Sequence, residues 1–254
     1  MRKYFGVILL LVLCWSCADN EDSIFQRDPV QPVTDQEDEA EDQEENTPAS
    51  IGPLTYLALG DSYTIGQGVE ESMRWPNQLK NKLKSNNVDV SQVDIIAKTG
   101  WTTTNLLKAI EEENPTSYDL VSLLIGVNNQ FQGKSFTEFE NEFDELLSIC
   151  QTIAGGSKGV FVVSIPDYGV TPYGSAYGNA EKIAREIDQY NNYMQRKCRE
   201  KGIQYIDVTY LSRVLADSEE ALVEDQLHPS AFQYSKWIEI INLEVLDLLQ
   251  NSNG

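Results

Sequence analysis

The chain contains a single histidine, His228, and Asp225 precedes it by three residues in Asp225-Gln226-Leu227-His228-Pro229. One turn of chain across that spacing can aim the carboxylate at the imidazole, fixing its tautomer and stabilising the imidazolium. A base held in this way needs a nucleophile. Gly60-Asp61-Ser62-Tyr63-Thr64 offers Ser62 on a tight turn directly after an apolar run, where a hydroxyl would be exposed to a substrate. Acyl transfer also needs donors for the oxyanion. Gly100, in Lys98-Thr99-Gly100-Trp101, can bring a backbone N–H close, and Asn128, in Gly126-Val127-Asn128-Asn129, can donate its amide. Losing one such donor typically costs about 2.7–4 kcal/mol of transition-state stabilisation. Singly these are ordinary residues, since a serine after Gly-Asp is usually only a turn. In the order Ser…Asp…His, with two donors between, they describe nucleophilic attack on an acyl carbon.

Such a set must be carried by elements that bring four distant segments together. Leu54–Leu59 ends at Gly60 as a short apolar run, and Val93–Ala97, Leu120–Ile125, Gly159–Ile165 and Ile203–Val208 repeat the pattern. Helical spacing appears between them: about Pro76–Lys84, Thr103–Glu112, a stretch containing Phe136, Phe139, Phe143, Leu146, Leu147 and Ile149, then Ala180–Lys201, and finally about Ala231–Leu249. Strands apolar throughout, alternating with helices, imply a parallel sheet covered on both faces. The expectation is one three-layer α/β/α domain over residues 54–254, with its chemistry at the carboxyl ends of the strands. Ser62, Gly100 and Asn128 each follow such an end.

On these residues the chain resembles the SGNH hydrolases, also called GDSL esterases and lipases. The serine of that family's first motif, the glycine of the second, the asparagine of the third and the histidine of the last fall on Ser62, Gly100, Asn128 and His228. Asp225 matches the acid of the final D-x-x-H. The resemblance covers about residues 54–250 and implies a flavodoxin-like sheet of five parallel strands. It also implies Ser62 attack on an ester carbonyl, an acyl-enzyme, and hydrolysis by water that His228 activates. The oxyanion would be held by the Ser62 and Gly100 N–H groups and the Asn128 amide. Tyr63 stands where the family has leucine, and Asn129 where aspartate is commoner. Both sit beside the site, so both are expected to touch substrate.

The fourth strand leads into Pro166–Gly178, which holds Tyr168, Tyr173 and Tyr177 among prolines and glycines. It reads equally as a surface loop rich in turn residues and as an aromatic substrate wall. In the second reading Tyr168 and Tyr173 bind substrate together with Trp101; Trp75 suits either the wall or the core. Cys150 and Cys198 each fall within an expected helix, as a disulfide or as two buried thiols. Gly60, Gly66 and Gly68 do not make G-x-G-x-x-G, and no helix is expected directly behind them, so a nucleotide site is set aside.

Ahead of the domain, Met1-Arg2-Lys3 and the apolar run Phe5–Leu13 fit a secretory signal and are too short for a membrane span. Ser16 before Cys17 resembles a bacterial lipoprotein cleavage site. Lipidated Cys17 would anchor the protein in the cell envelope, and Ala18–Asp22 resembles a signal for the outer surface; an ordinary cleaved signal is the plainer reading. Residues 18–53 lack apolar periodicity, and Asp35–Glu45 carries eight carboxylates in eleven residues, as expected of a solvated, disordered stalk rather than a calcium site. Three bases against twelve acids leave residues 1–53 at −9, and sixteen against twenty-eight leave residues 54–254 at −12. An acidic surface repels phosphate backbones, which argues against a nucleic-acid partner. One histidine and four cysteines, two of them in the leader, make no metal cluster, and no cofactor is called for.

Three readings therefore compete. The first is a cell-envelope serine esterase acting on short acyl esters, with acetylated carbohydrate as one class. The second is a lipase or lysophospholipase, which would need a long apolar groove. The third is a surface lipoprotein that binds glycan on a hydrolase scaffold.

Overall fold

The five apolar runs become five strands: β1 (Leu54–Gly60), β2 (Val90–Ala97), β3 (Leu120–Leu124), β4 (Val160–Val163) and β5 (Gln204–Ile206). The computed structural model describes residues 53–252, so the leader, Cys17 and the acidic stretch up to residue 52 lie outside the described residues. All strand pairs are parallel, in the order β2-β1-β3-β4-β5. Every residue of β3 and β4 is buried, as a sheet covered on both faces requires. β2 is an edge strand and starts earlier than its apolar part: Val90 and Gln92 pair with Leu54 and Thr55, and exposed Ser91 lies at the register shift between them.

Helices α2 (Trp75–Ser85) and α9 (Ala231–Ser252) pack together on one face of the sheet. Helices α3 (Thr103–Glu113), α5 (Phe136–Ile153) and α7 (Ala180–Lys201) cover the other. Their stripes follow the helical period: α5 buries Phe139, Phe143, Leu146, Leu147, Cys150 and Ile153. The ring of Phe139 lies 4.3 Å from that of Tyr190 on α7, fixing how the two helices meet. Cys150 and Cys198 are both buried and unbonded, so of the two alternatives the free thiols are found. Burial pushes each thiol up to about 12.

Four short helices have too few turns to show a period: α1 (Ser62–Ile65), α4 (Val127–Phe131), α6 (Pro172–Tyr177) and α8 (Thr209–Val214). A helix thus does open directly behind Gly60, contrary to expectation, because Asp61 caps it by accepting the Tyr63 N–H. The stretch after β4 is likewise not plain loop. Thr171 caps α6 through the Gly174 N–H, and Pro172 takes the first helical position, where its missing N–H costs nothing.

The chain runs from β1 outward to β2, then returns to place β3 on the other side of β1. Where the order reverses, the carboxyl ends of β1 and β3 adjoin beneath an open crevice. Gly60 makes the turn out of β1 there: a Cβ on it would lie 2.5 Å from the Leu124 carbonyl oxygen and collide with Thr64 Oγ1. Backbone cannot yield as a flexible side chain can. Gly60→Ala is therefore expected to lower unfolding free energy by about 1–3 kcal/mol in urea titration. A variant as stable as the parent would show that the turn relaxes.

Candidate active site

Ser62 is the first residue of α1 and is almost fully buried, at 4% exposure. Asp61 and Tyr63 bracket it and hold the turn from both sides. Tyr63 is itself buried; its carbonyl accepts from Tyr234 Oη at 2.9 Å, and its ring meets Trp237 of α9 edge-on at 6.4 Å. The same ring meets the His228 imidazole edge-on at 6.0 Å, so the segment carrying the serine and the one carrying the histidine are packed against each other. No hydrogen bond joins Ser62 Oγ to His228 among the described residues. Such contacts commonly close only when substrate binds.

The histidine segment is a short loop pinned at both ends. Leu222 and Pro229 form an antiparallel bridge, the Val223 N–H donates to the His228 carbonyl at 3.0 Å, and the Ser230 N–H donates to Ala221 at 2.8 Å. Gln226 takes the left-handed conformation at its tip, with φ 59°. Asp225 Oδ1 accepts the N–H groups of Leu227 and His228, each at 2.9 Å, while Oδ2 lies 2.6 Å from His228 Nδ1. Partial burial opposes ionisation of Asp225, but these N–H groups and the ring outweigh it and hold the carboxyl below its ordinary range. With Nδ1 committed to the carboxylate, Nε2 is the nitrogen left to accept a proton.

Asp61 presents the opposite case. It is completely buried; Oδ1 takes the Tyr63 N–H at 3.0 Å, and Oδ2 has no hydrogen-bond partner. Desolvation, only partly offset by the backbone bonds, pushes its carboxyl up to about 7.

The two donor loops are tied to the serine turn and to each other. Gly100 has φ 85° with open space where a side chain would be, and its carbonyl accepts from Gln132 Nε2 at 3.1 Å. Thr99 Oγ1 donates to Gln67 Oε1 at 2.5 Å, linking the Gly100 loop to the segment behind α1. Asn128, half-buried on α4, spends one amide hydrogen on the Trp101 carbonyl at 3.0 Å and keeps the other.

Ser62, Gly100 and Asn128 thus lie on the short helices and the loop that follow strand ends, and Asp225 and His228 on the loop packed against them. The substrate contacts expected around them need correction. Tyr63 is buried and faces α9 and the imidazole, so it has no surface for a wall. Asn129 is fully buried: Oδ1 accepts the Thr103 N–H at 3.0 Å and Nδ2 donates to Thr103 Oγ1 at 2.7 Å, which pins the Gly100 loop to α4. Tyr168 is also buried, its hydroxyl bonded to Gln130 Oε1 at 2.8 Å. Trp101 and Tyr173 are half-buried, and the Tyr173 N–H meets the Gln226 carbonyl at 3.2 Å, bracing the histidine loop. Trp75 is in the core, fully buried against Phe161. Sequence reasoning missed the braces Gln67, Gln132 and Tyr234. Only Gln132 left a signal, one helical turn beyond Asn128.

A sequence model of the GDSL-like Lipase/Acylhydrolase family matches residues 58–236. No curated protein matches the sequence. Among solved structures, the chain is similar to a variant of an acetyl xylan esterase from Geobacillus stearothermophilus, with 19% identity and a TM-score of 0.59 over 77% of this chain and 96% of that one. It is equally similar to phospholipase A1 from Streptomyces albidoflavus NA297, with 19% identity and a TM-score of 0.59 over 76% and 99%. A psychrotrophic esterase from Pseudoalteromonas sp. follows, with 16% identity and a TM-score of 0.54 over 78% and 97%. At these identities the likeness concerns the fold, which is the five-stranded parallel α/β sheet described above. The family match spans most of the chain: the protein is an ester hydrolase belonging to the GDSL-like lipase/acylhydrolase family.

Proposed function

We propose that the protein is a serine esterase that hydrolyses short-chain acyl esters through an acyl-enzyme. The observation that carries this reading is the 2.6 Å contact between Asp225 and His228, on a loop packed against the turn that bears Ser62. His228 Nε2 takes the Ser62 Oγ proton as Oγ attacks the ester carbon, and the carbonyl electrons move onto oxygen. The Ser62 and Gly100 N–H groups, neither of which has a partner within the described residues, and the spare Asn128 amide hydrogen receive that oxyanion. The tetrahedral adduct expels the alcohol with the proton from His228. Water, deprotonated by His228, then cleaves the acyl-enzyme and returns Ser62. Asp225 stays ionised throughout and steadies the imidazolium.

The short-chain part of this reading is supported by the likeness to an acetyl xylan esterase. Acetyl groups on carbohydrate are the natural class in a cell-envelope setting. The lipase reading draws on the equal likeness to phospholipase A1.

Anchoring in the bacterial envelope through lipidated Cys17 is part of the same proposal. Among the described residues no helix is long and apolar enough to cross a membrane.

Hydrolysis of esters from acetyl to dodecanoyl is expected to fall with chain length, and Ser62→Ala to lower kcat by at least about 10³-fold. Rates that rise beyond about eight carbons would favour the lipase reading, and no change with Ser62→Ala would sink the mechanism. Cys17→Ala is expected to move the protein from the membrane fraction to the soluble one on fractionation, and continued sedimentation would refute lipidation there. Asp61 carries a pH prediction. Its carboxyl is raised in the folded state, so the parent is unpenalised below about pH 4 and loses stability as pH rises toward 7. Asp61→Asn, neutral throughout, should gain relative to the parent by roughly 1 kcal/mol per pH unit across that window in urea melts, then level off. A constant difference between pH 4 and 8 would mean that folding does not raise the Asp61 carboxyl.

A further inference from the structure

Helix α4 begins at Gly126 and is five residues long, so Asn128 and Phe131, three apart, share one face. Phe131 is 51% exposed, while Val127 and Asn129 on the same helix are buried. A single exposed aromatic residue is common and by itself means nothing. Phe131 differs in how it is held. The Tyr168 ring meets it edge-on, 5.9 Å between centroids at 72°. Tyr168 is fixed in turn by its hydroxyl on Gln130 Oε1, and Gln130 Nε2 donates to Glu186 Oε2 of α7 at 2.8 Å. A buried tyrosine and a relay reaching another helix thus set the angle of a ring that faces solvent, one helical turn from the proposed oxyanion donor.

A fixed flat apolar face, open to water and followed and preceded in the chain by Gln132 and Gln130, suits a ligand with an apolar face and a polar rim. A saccharide ring has that character. An acyl chain would be better served by an enclosed trough than by one exposed ring. The charge of −12 on residues 54–254 disfavours an anionic lipid headgroup and leaves a neutral sugar unopposed.

We propose that Phe131, braced by Tyr168, is the platform for a sugar ring on the alcohol side of the scissile ester, a specificity-determining residue that directs the enzyme to neutral acetylated glycans. This rests on the esterase reading above and assigns its alcohol subsite.

The test compares an acetylated xylo-oligosaccharide with ethyl acetate, which has no ring, using the full chain. Phe131→Ala is expected to lower the ratio of kcat/KM for the glycan ester over ethyl acetate about tenfold, mainly through KM, and Phe131→Trp to restore it. An equal loss on both substrates would show that Phe131 merely supports Asn128 and would overturn the proposal. Parental turnover of ethyl acetate without preference for the glycan ester would overturn it also, leaving the esterase reading intact. Binding of the unacetylated oligosaccharide, measured by calorimetry, separates the two ideas further. It is expected to weaken about tenfold in Phe131→Ala, and binding independent of Phe131 counts against the platform whether or not Ser62 hydrolyses esters. Failure of Ser62 to react with a fluorophosphonate would remove the esterase reading alone.

Discussion

A parallel sheet must send its chain from the carboxyl end of each strand to a helix on one face or the other. Where successive connections choose opposite faces, no helix can close over the strand ends and a crevice remains. Here that point lies between β1 and β3, and every group of the candidate site is hung around it. The serine turn leaves β1, the Asn128 helix leaves β3, and the Gly100 loop leaves β2. The histidine comes from the far end of the chain, brought back by α9, whose Tyr234 and Trp237 clasp Tyr63. The order of strands, more than any single contact, decides which loops can meet.

Precision at that crevice comes from buried polar side chains rather than from the hydrophobic core. Asn129 binds the Gly100 loop to α4, and just beyond β4 Asn191 of α7 grips both the N–H and the carbonyl of Ile165, at 2.8 and 2.9 Å. Arg213 bridges buried Asp167 and exposed Asp188 and so anchors the segment beyond β4. Each of these groups would be costly to bury alone and is satisfied where it stands. On the serine turn Thr64 Oγ1 has no partner, and neither does one oxygen of Asp61, directly beside the serine. The burial of Asp61 places a strained ionisation at the most sensitive position in the fold.

Much of this was legible in advance. Strands buried on both faces leave nearly unbroken apolar runs, and α5 and α7 are long enough to show their period. The residues proposed for chemistry were visible because each follows a strand end or stands beside the chain's one histidine. Proximity in sequence misled where side-chain direction mattered. Tyr63 and Asn129 neighbour Ser62 and Asn128, yet adjacent residues of a helix point to different sides, so both turn inward. Tyr168, in a stretch that reads equally as surface loop and as aromatic wall, is a buried support, whereas Phe131, which no motif marks, carries the open ring. The helices of four to six residues escaped notice because their reasons are caps and prolines, not periodicity.

The histidine loop has one further consequence. Asp225 and His228 are joined through their own backbone, by bonds that form within a few residues and depend little on the rest of the domain. The carboxylate and imidazole therefore travel as one preassembled piece. What is left to vary is a single coordinate, the approach of that piece to the serine turn across the Tyr63 ring. The alignment of such a centre then depends on how closely α9, through Tyr234 and Trp237, holds the serine turn against that piece.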